Sequence, residues 1–504
     1  MKKIRILAGL AVLCLLLSLV PAAAVQAAEP ESREISGIDL ITEFENMPKP
    51  AWMFDGREHG GTQCGSSASF TLYSGEGLGS LYFIFETVPG LYTLEDEDTG
   101  VQVTCGQHDF LHDYLDLKAL FGTVPHTVTV RMGESGIRIS ELRVFTEGEP
   151  PADVQRWKSA STEGIDLLLF STHGDDEQLF FAGVLPYYAG ELGYEVLVAY
   201  STSHANYGPV RPHEMLDGLW AVGVTNYPVF GPFDDYYTKS LQQARQAFLD
   251  RGIPEEELLG YVVEQIRKYK PLVVLGHDVN GEYGHGMHRL YSAMVQQAVE
   301  ISMDPEQFPE SARQWGTWDV PKTYLHLYPE APVVMNWDIP LDAFDGMTAY
   351  EVTKTYGFPA HESQYSGFAW YMQGKDQASE IREMSPCEFG LYRTTVGPDQ
   401  QCDDFFENLT NRAEQKRLAE EAQRKAEEEK AAKAAEKARI RAEQEAARLE
   451  AEKKAEAEAE LAAELAARKQ LQQNRMLAGT VIVIVILVLM LIVVLFKREN
   501  RKEK

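Results

Sequence analysis

"GIDLLLFSTHGDDEQLFF", residues Gly164–Phe181, changes character abruptly. An apolar run ends at Phe170. His173, Asp175, Asp176 and Glu177 follow almost at once, and apolar residues then resume. A continuous apolar run of this length reads as a strand buried on both faces, the pattern of a parallel sheet. Two similar runs lie downstream, "EVLVAYST" from Glu195 and "PLVVLGHD" from Pro271. Between them stand stretches such as "EELLGYVVEQIRKYK", residues 256–270, whose apolar positions recur three and four apart and predict helix. Strand–helix alternation predicts an α/β domain over residues 158–408, with a Rossmann-like, mostly parallel sheet covered by helices. Ligands bind such sheets beyond the carboxyl ends of the strands, and each of the three runs ends in a polar loop.

The rest of the chain divides by composition. Residues 33–148 hold short apolar runs such as "SLYFIFETV" and "HTVTVRM", separated by Gly, Asp and Pro, with no helical period. They predict a β-sandwich. "EGEPPADVQRW", Glu147–Trp157, is the Pro-containing linker. Residues 411–475 are almost entirely Ala, Glu, Lys, Arg and Gln, strong helix formers. They predict a charged helical stalk or coiled coil, about 90–100 Å long if helical throughout.

Both ends carry membrane signals. Lys2, Lys3 and Arg5 precede an apolar run and small residues up to Ala28, so residues 1–28 read as a cleaved signal peptide. "MLAGTVIVIVILVLMLIVVLF", residues 476–496, is uncharged and long enough to span a bilayer as a helix. The basic tail, residues 497–504, then belongs in the cytoplasm, with everything before the span outside the cell membrane. The net charge of −29 and the lack of a basic patch away from the membrane flanks exclude nucleic acid as a partner class. Four cysteines remain after the signal peptide, Cys64, Cys105, Cys387 and Cys402, an even number that permits disulfides in an exported chain.

The chemistry lies in two loops. His173 and Asp176 follow the first strand three residues apart, and a tight turn can aim both at one point. Imidazole nitrogen and carboxylate oxygen are ordinary Zn²⁺ ligands. Asp175 between them could take a proton from water. After the third strand comes "GHDVNGEYGHGMHRLYSAM", in which His285 and His288 stand at the start of an expected helix, Met287–Val299. His277 is a rival ligand for His288. His361 could line the pocket or simply pack. Asp234 and Asp235 read as turn residues, and His213 as exposed.

"HGDDE" followed by "GHGMH" resembles the PIG-L/LmbE family of zinc-dependent de-N-acetylases, which act on N-acetylglucosamine-type sugars. "RPHEMLDGLWAVGV", "KTYLHLYP" and "AHESQ" fit as well, over about residues 162–370. The resemblance implies that His173, Asp176 and His288 are metal ligands, that Asp175 is the general base, and that His285 stabilises the oxyanion. Arg211 would contact substrate. Two departures stand out. Gly174 replaces the family's Pro, and Met287 replaces an Asp expected to tune the histidine. "GIRISELRVF" and "AWMFDG" weakly resemble galactose-binding, discoidin-type modules.

The expectation is a membrane-anchored extracellular hydrolase that holds Zn²⁺ or another divalent ion. It would remove N-acetyl groups from a glycan or glycoconjugate, and the stalk could mediate self-association. The alternatives are a catalytically weak or inactive glycan-binding surface protein, or a zinc hydrolase of another small amide or ester.

Overall fold

In the computed structural model, which describes residues 31–203 and 208–499, nine strands form the N-terminal part. They are β1 (Ile41–Glu45), β2 (Thr62–Gln63), β3 (Ser69–Tyr73), β4 (Ser80–Phe85), β5 (Tyr92–Asp96), β6 (Val101–Cys105), β7 (His112–Asp116), β8 (Thr127–Met132) and β9 (Arg138–Phe145). One antiparallel sheet runs β1-β3-β8-β5-β6 and a second runs β2-β9-β4-β7. Period-two alternation turns Phe70 and Leu72 of β3 inward. Phe70 meets Phe83 of β4 edge-on at 6.5 Å, so the two sheets share one apolar core. One short helix, Leu117–Phe121, interrupts the strands. Asp116 caps it by accepting from Ala119 N–H at 2.9 Å. Five residues are too few to show a helical period in sequence.

Six strands form the next sheet: β10 (Leu167–Ser171), β11 (Val196–Tyr200), β12 (Val273–Gly276), β13 (Lys322–His326), β14 (Pro332–Val334) and β15 (Glu388–Thr394). Their order is β11-β10-β12-β13-β15-β14. The pairings β10–β11, β10–β12 and β12–β13 are parallel, while β15 runs antiparallel to β13 and β14. Side chains of β10 alternate between two cores. Leu167 and Leu169 enter one, Leu168 and Phe170 the other. Both faces are buried, which is why the strand is uninterruptedly apolar. Helix Glu255–Tyr269 buries Leu258, Val262, Val263 and Ile266. Glu255, Glu256 and Glu257 in its first turn, and Arg267 and Lys268 in its last, suit the helix dipole. Helix Gly286–Ile301 begins one residue before, and ends two after, the expected span.

The chain divides into two compact units between Gln415 and Lys416. The expected stalk and apolar span are one unbroken helix, Arg412–Glu499, rather than separate elements, and all but its first four residues belong to the second unit. At 1.5 Å per residue it is about 130 Å long. Its apolar stretch is long enough to cross a membrane by length and composition. The signal peptide and residues 500–504 of the basic tail lie outside the described residues. Cys64, Cys105, Cys387 and Cys402 are free thiols, so the disulfide expectation is not met.

Candidate metal centre

The turn after β10 is built by its own polar groups. Ser171 Oγ donates to the His173 carbonyl at 2.8 Å, and the His173 backbone N–H donates to Asp176 Oδ2 at 2.8 Å. The chain then enters the short helix Asp176–Leu179. Gly174 sits where any Cβ would stand 2.5 Å from the Met215 side chain, so a larger residue there must displace it. The loop after β12 reaches the same place from the neighbouring strand. Gly286, between His285 and Met287, touches residues 238–240 so closely that a Cβ would lie 2.1 Å from Thr238 Oγ1.

These loops bring together atoms that the sequence separates widely. His173 Nδ1 lies 3.1 Å from Asp176 Oδ2 and 3.0 Å from His288 Nε2. His288 Nε2 lies 3.2 Å from Asp176 Oδ2. The three atoms form a nearly equilateral triangle. Ligands bound tetrahedrally to Zn²⁺ at 2.0–2.1 Å stand about 3.3–3.4 Å apart, so the donor set fits a small divalent cation. The charges agree. Burial opposes protonation of His173, but Asp176 and Asp235 outweigh it and hold the imidazole well above its ordinary range. Burial likewise opposes His288, yet Asp176 and Glu282 raise it to about 9. Burial would raise Asp176, but His288 and His173 hold it well below the usual carboxylate range. The centre therefore favours positive charge, from protons or from a metal.

His285 and Asp175 border this triangle. A cavity of about 260 Å³ is lined by His173, Asp175, Arg211, Asp235, Tyr283 and His285, among others. Burial, with Asp176 adding, pushes Asp175 up to about 6. Burial, with His173 and His288 adding, pushes His285 down to about 3. Two overlapping groups of metal-competent donors share these residues: His173, His285 and His288, and Asp176, His277 and His288. His277 is already committed: its Nε2 accepts the Thr172 N–H at 3.0 Å and its Nδ1 faces Glu282 at 2.9 Å. Arg211 is buried, donating to Glu214 at 2.9 Å and to the Gly174 carbonyl at 2.6 Å, so it braces the motif turn from the cavity wall.

Several sequence readings need correction. Asp235 is no plain turn residue, since its Oδ1 stands 3.1 Å from His173 Nε2. His213 is buried rather than exposed, with Nδ1 2.7 Å from His112 Nε2 of β7. Of its two readings, His361 takes the packing one, buried between Glu177, at 3.1 Å, and Arg211, at 3.4 Å. Met287 lies in the apolar core. The carboxylate on His288 Nδ1 is instead Glu282, at 2.7 Å, a residue the sequence reading passed over. So each metal-competent histidine of the triangle has a carboxylate on its other nitrogen. Tyr283, also passed over, holds a left-handed backbone (φ 42°) at the cavity wall.

Residues 168–299, which contain both loops, match the family model described as PIG-L: GlcNAc-PI de-N-acetylase. The chain carries a PIG-L family domain. Among curated relatives, a 1D-myo-inositol 2-acetamido-2-deoxy-alpha-D-glucopyranoside deacetylase of Catenulispora acidiphila is 25% identical over 245 residues, 44% of this chain and 71% of the relative. A mycothiol S-conjugate amidase of Streptomyces coelicolor is 25% identical over 182 residues, 31% of this chain and 58% of that protein. An N,N'-diacetylchitobiose deacetylase of Pyrococcus horikoshii aligns in structure with a TM-score of 0.29 and 16% identity, covering 45% of this chain and 83% of the other.

Proposed function

We propose that the chain is a Zn²⁺-dependent hydrolase that removes N-acetyl groups from N-acetylglucosamine-type sugars in glycans or glycoconjugates. The supporting observation is the triangle of His173, Asp176 and His288 donor atoms beside a cavity that presents a second carboxylate and a second imidazole. The activities named for the relatives, a deacetylase of an acetamido sugar and an amidase, point the same way. The cavity's 260 Å³ is at the small end for ligand sites, which suits one sugar ring better than a long chain.

His173, Asp176 and His288 would hold the ion, and the bound cation would supply Lewis acidity to the amide carbonyl and to water. Asp175, ionised, accepts the proton of the attacking water. His285, kept neutral by burial, donates an N–H to the negative charge growing on the carbonyl oxygen. The proton held on Asp175 passes to the departing nitrogen as the C–N bond breaks, leaving a free amine and acetic acid, which loses the second water proton to become acetate. Arg211 contacts the substrate while its guanidinium steadies the turn.

In the same reading, residues 33–148 are a galactose-binding-like β-sandwich and residues 158–408 the catalytic domain. Residues 411–475 are a stalk through which chains could associate, and 476–496 span the cell membrane. The catalytic part faces outward and residues 497–504 face the cytoplasm. The deciding experiment incubates the full chain, in detergent, with a panel of N-acetylated oligosaccharides, with and without a chelator. Freed amines detected by mass, lost on chelation and restored by Zn²⁺, support the reading. No freed amine from any sugar, in a chain that binds no metal, refutes it.

A further inference from the structure

Glu282 has no part in the chemistry above, yet it is fully buried at the centre of the histidine cluster. Its Oε2 accepts from His277 Nδ1 at 2.9 Å and from His288 Nδ1 at 2.7 Å. Its Oε1 meets His326 Nδ1 at 2.7 Å and the Asp278 backbone N–H at 3.2 Å. One carboxylate thus ties together the end of β12, the Gly-rich loop, the start of helix Gly286–Ile301 and the end of β13.

The far sides of the three rings show what this does. His326 Nε2 lies 2.9 Å from the Ser385 carbonyl, so that ring links the carboxylate to the loop before β15. His277 gives Nδ1–H to Glu282 and accepts the Thr172 N–H on Nε2. His288 gives Nδ1–H to Glu282, which leaves the lone pair of Nε2 directed at Asp176 and His173.

The geometry points to Glu282 as a positioning residue that fixes the tautomer and ring orientation of His288 for metal binding. Met287, the neighbour of His288 in sequence, is buried among apolar side chains and offers no carboxylate. This assignment rests on the metal reading above. A carboxylate on the far nitrogen of a ligating histidine raises its basicity, and losing such a partner typically costs about ten- to a hundred-fold in metal affinity.

The test titrates metal-stripped full chain in detergent with Zn²⁺ against a chromophoric chelator. Glu282→Gln is expected to weaken Zn²⁺ binding by about ten- to a hundred-fold, with Glu282→Asp in between. A folded Glu282→Gln chain that binds Zn²⁺ as tightly as the unaltered chain overturns the assignment and leaves the metal reading standing. An unaltered chain that binds no divalent cation overturns both. Should the Gln variant fail to fold, ¹⁵N spectra of the unaltered, histidine-labelled, Zn²⁺-loaded chain decide instead. Protonation of His288 at Nδ1 with ligation through Nε2 upholds the assignment, and the opposite tautomer overturns it.

Discussion

Acid should loosen the junction between the N-terminal strands and the metal-site sheet, and the responsible pair is His112 and His213. His112 Nε2 and His213 Nδ1 are 2.7 Å apart and buried, and Tyr82 Oη lies 2.7 Å from His112 Nδ1. Two rings in such contact share one hydrogen bond only while at least one stays neutral. Burial, with His59 adding, pushes His213 down from 6.5 to about 4. Burial, with His213 adding, holds His112 well below its ordinary range. The sign follows directly. Below its ordinary value the unfolded chain takes up a proton on His213, and the folded chain does so only near 4. Stability is therefore fully present above 6.5 and falls as the pH drops from 6.5 towards 4. The slope is about 1.4 kcal/mol per pH unit for one imidazole, or about 3 kcal/mol across the window for His213 alone. Urea unfolding of the full chain in detergent, at pH values from about 4 to 8, measures it. His213→Gln keeps a polar group at the contact but cannot take up that proton, so its profile should be flatter by one proton's slope. Equal slopes in the two chains across this window would refute the reasoning.

Asp175→Asn should slow acetate release by about 10²–10⁴-fold while leaving bound metal unchanged. Activity close to that of the unaltered chain would remove Asp175 from the base role. Lys322 and Asp399 form an ion pair with 0% and 2% side-chain exposure. Lys322→Met leaves the Asp399 carboxylate with the Tyr324 hydroxyl but without its cation, and should cost about 3–5 kcal/mol in denaturant unfolding; a loss below about 1 would mean that the pair is solvated. Deleting residues 476–504 should move the protein from the detergent-rich to the aqueous phase on cloud-point partitioning. Retention in the detergent phase would locate membrane affinity elsewhere.

The parallel strands were legible because burial on both faces demands uninterrupted apolar runs, as in Leu167–Phe170 and Val273–Leu275. His173 and Asp176 were legible as candidates because they follow such a run three residues apart; His288 stood beside His277 and His285 and was favoured by the family resemblance, and the fold brings the donor atoms of His173, Asp176 and His288 together. Glu282 and Asp235 were not. A single carboxylate in "NGEYG" or "GPFDDYY" reads as a solvated loop residue, and only the tertiary fold shows an imidazole beside it. The His112–His213 contact spans 101 positions and joins β7 to the helix Val210–Ala221, so no local pattern announces it. Nor does composition alone show that the charged stretch and the apolar stretch share one helix, since helix-forming residues can equally end and restart.

His173 and His288 stand 115 positions apart, on loops that follow adjacent strands. An ion gripped by both would act as a clasp across that long loop. It could form only after β10 and β12 had paired in register, so its uptake would report correct folding. By mass action it would also stabilise the folded chain, by about 2.7 kcal/mol when free ion exceeds the dissociation constant a hundred-fold. Metal starvation would then remove structural resilience along with turnover.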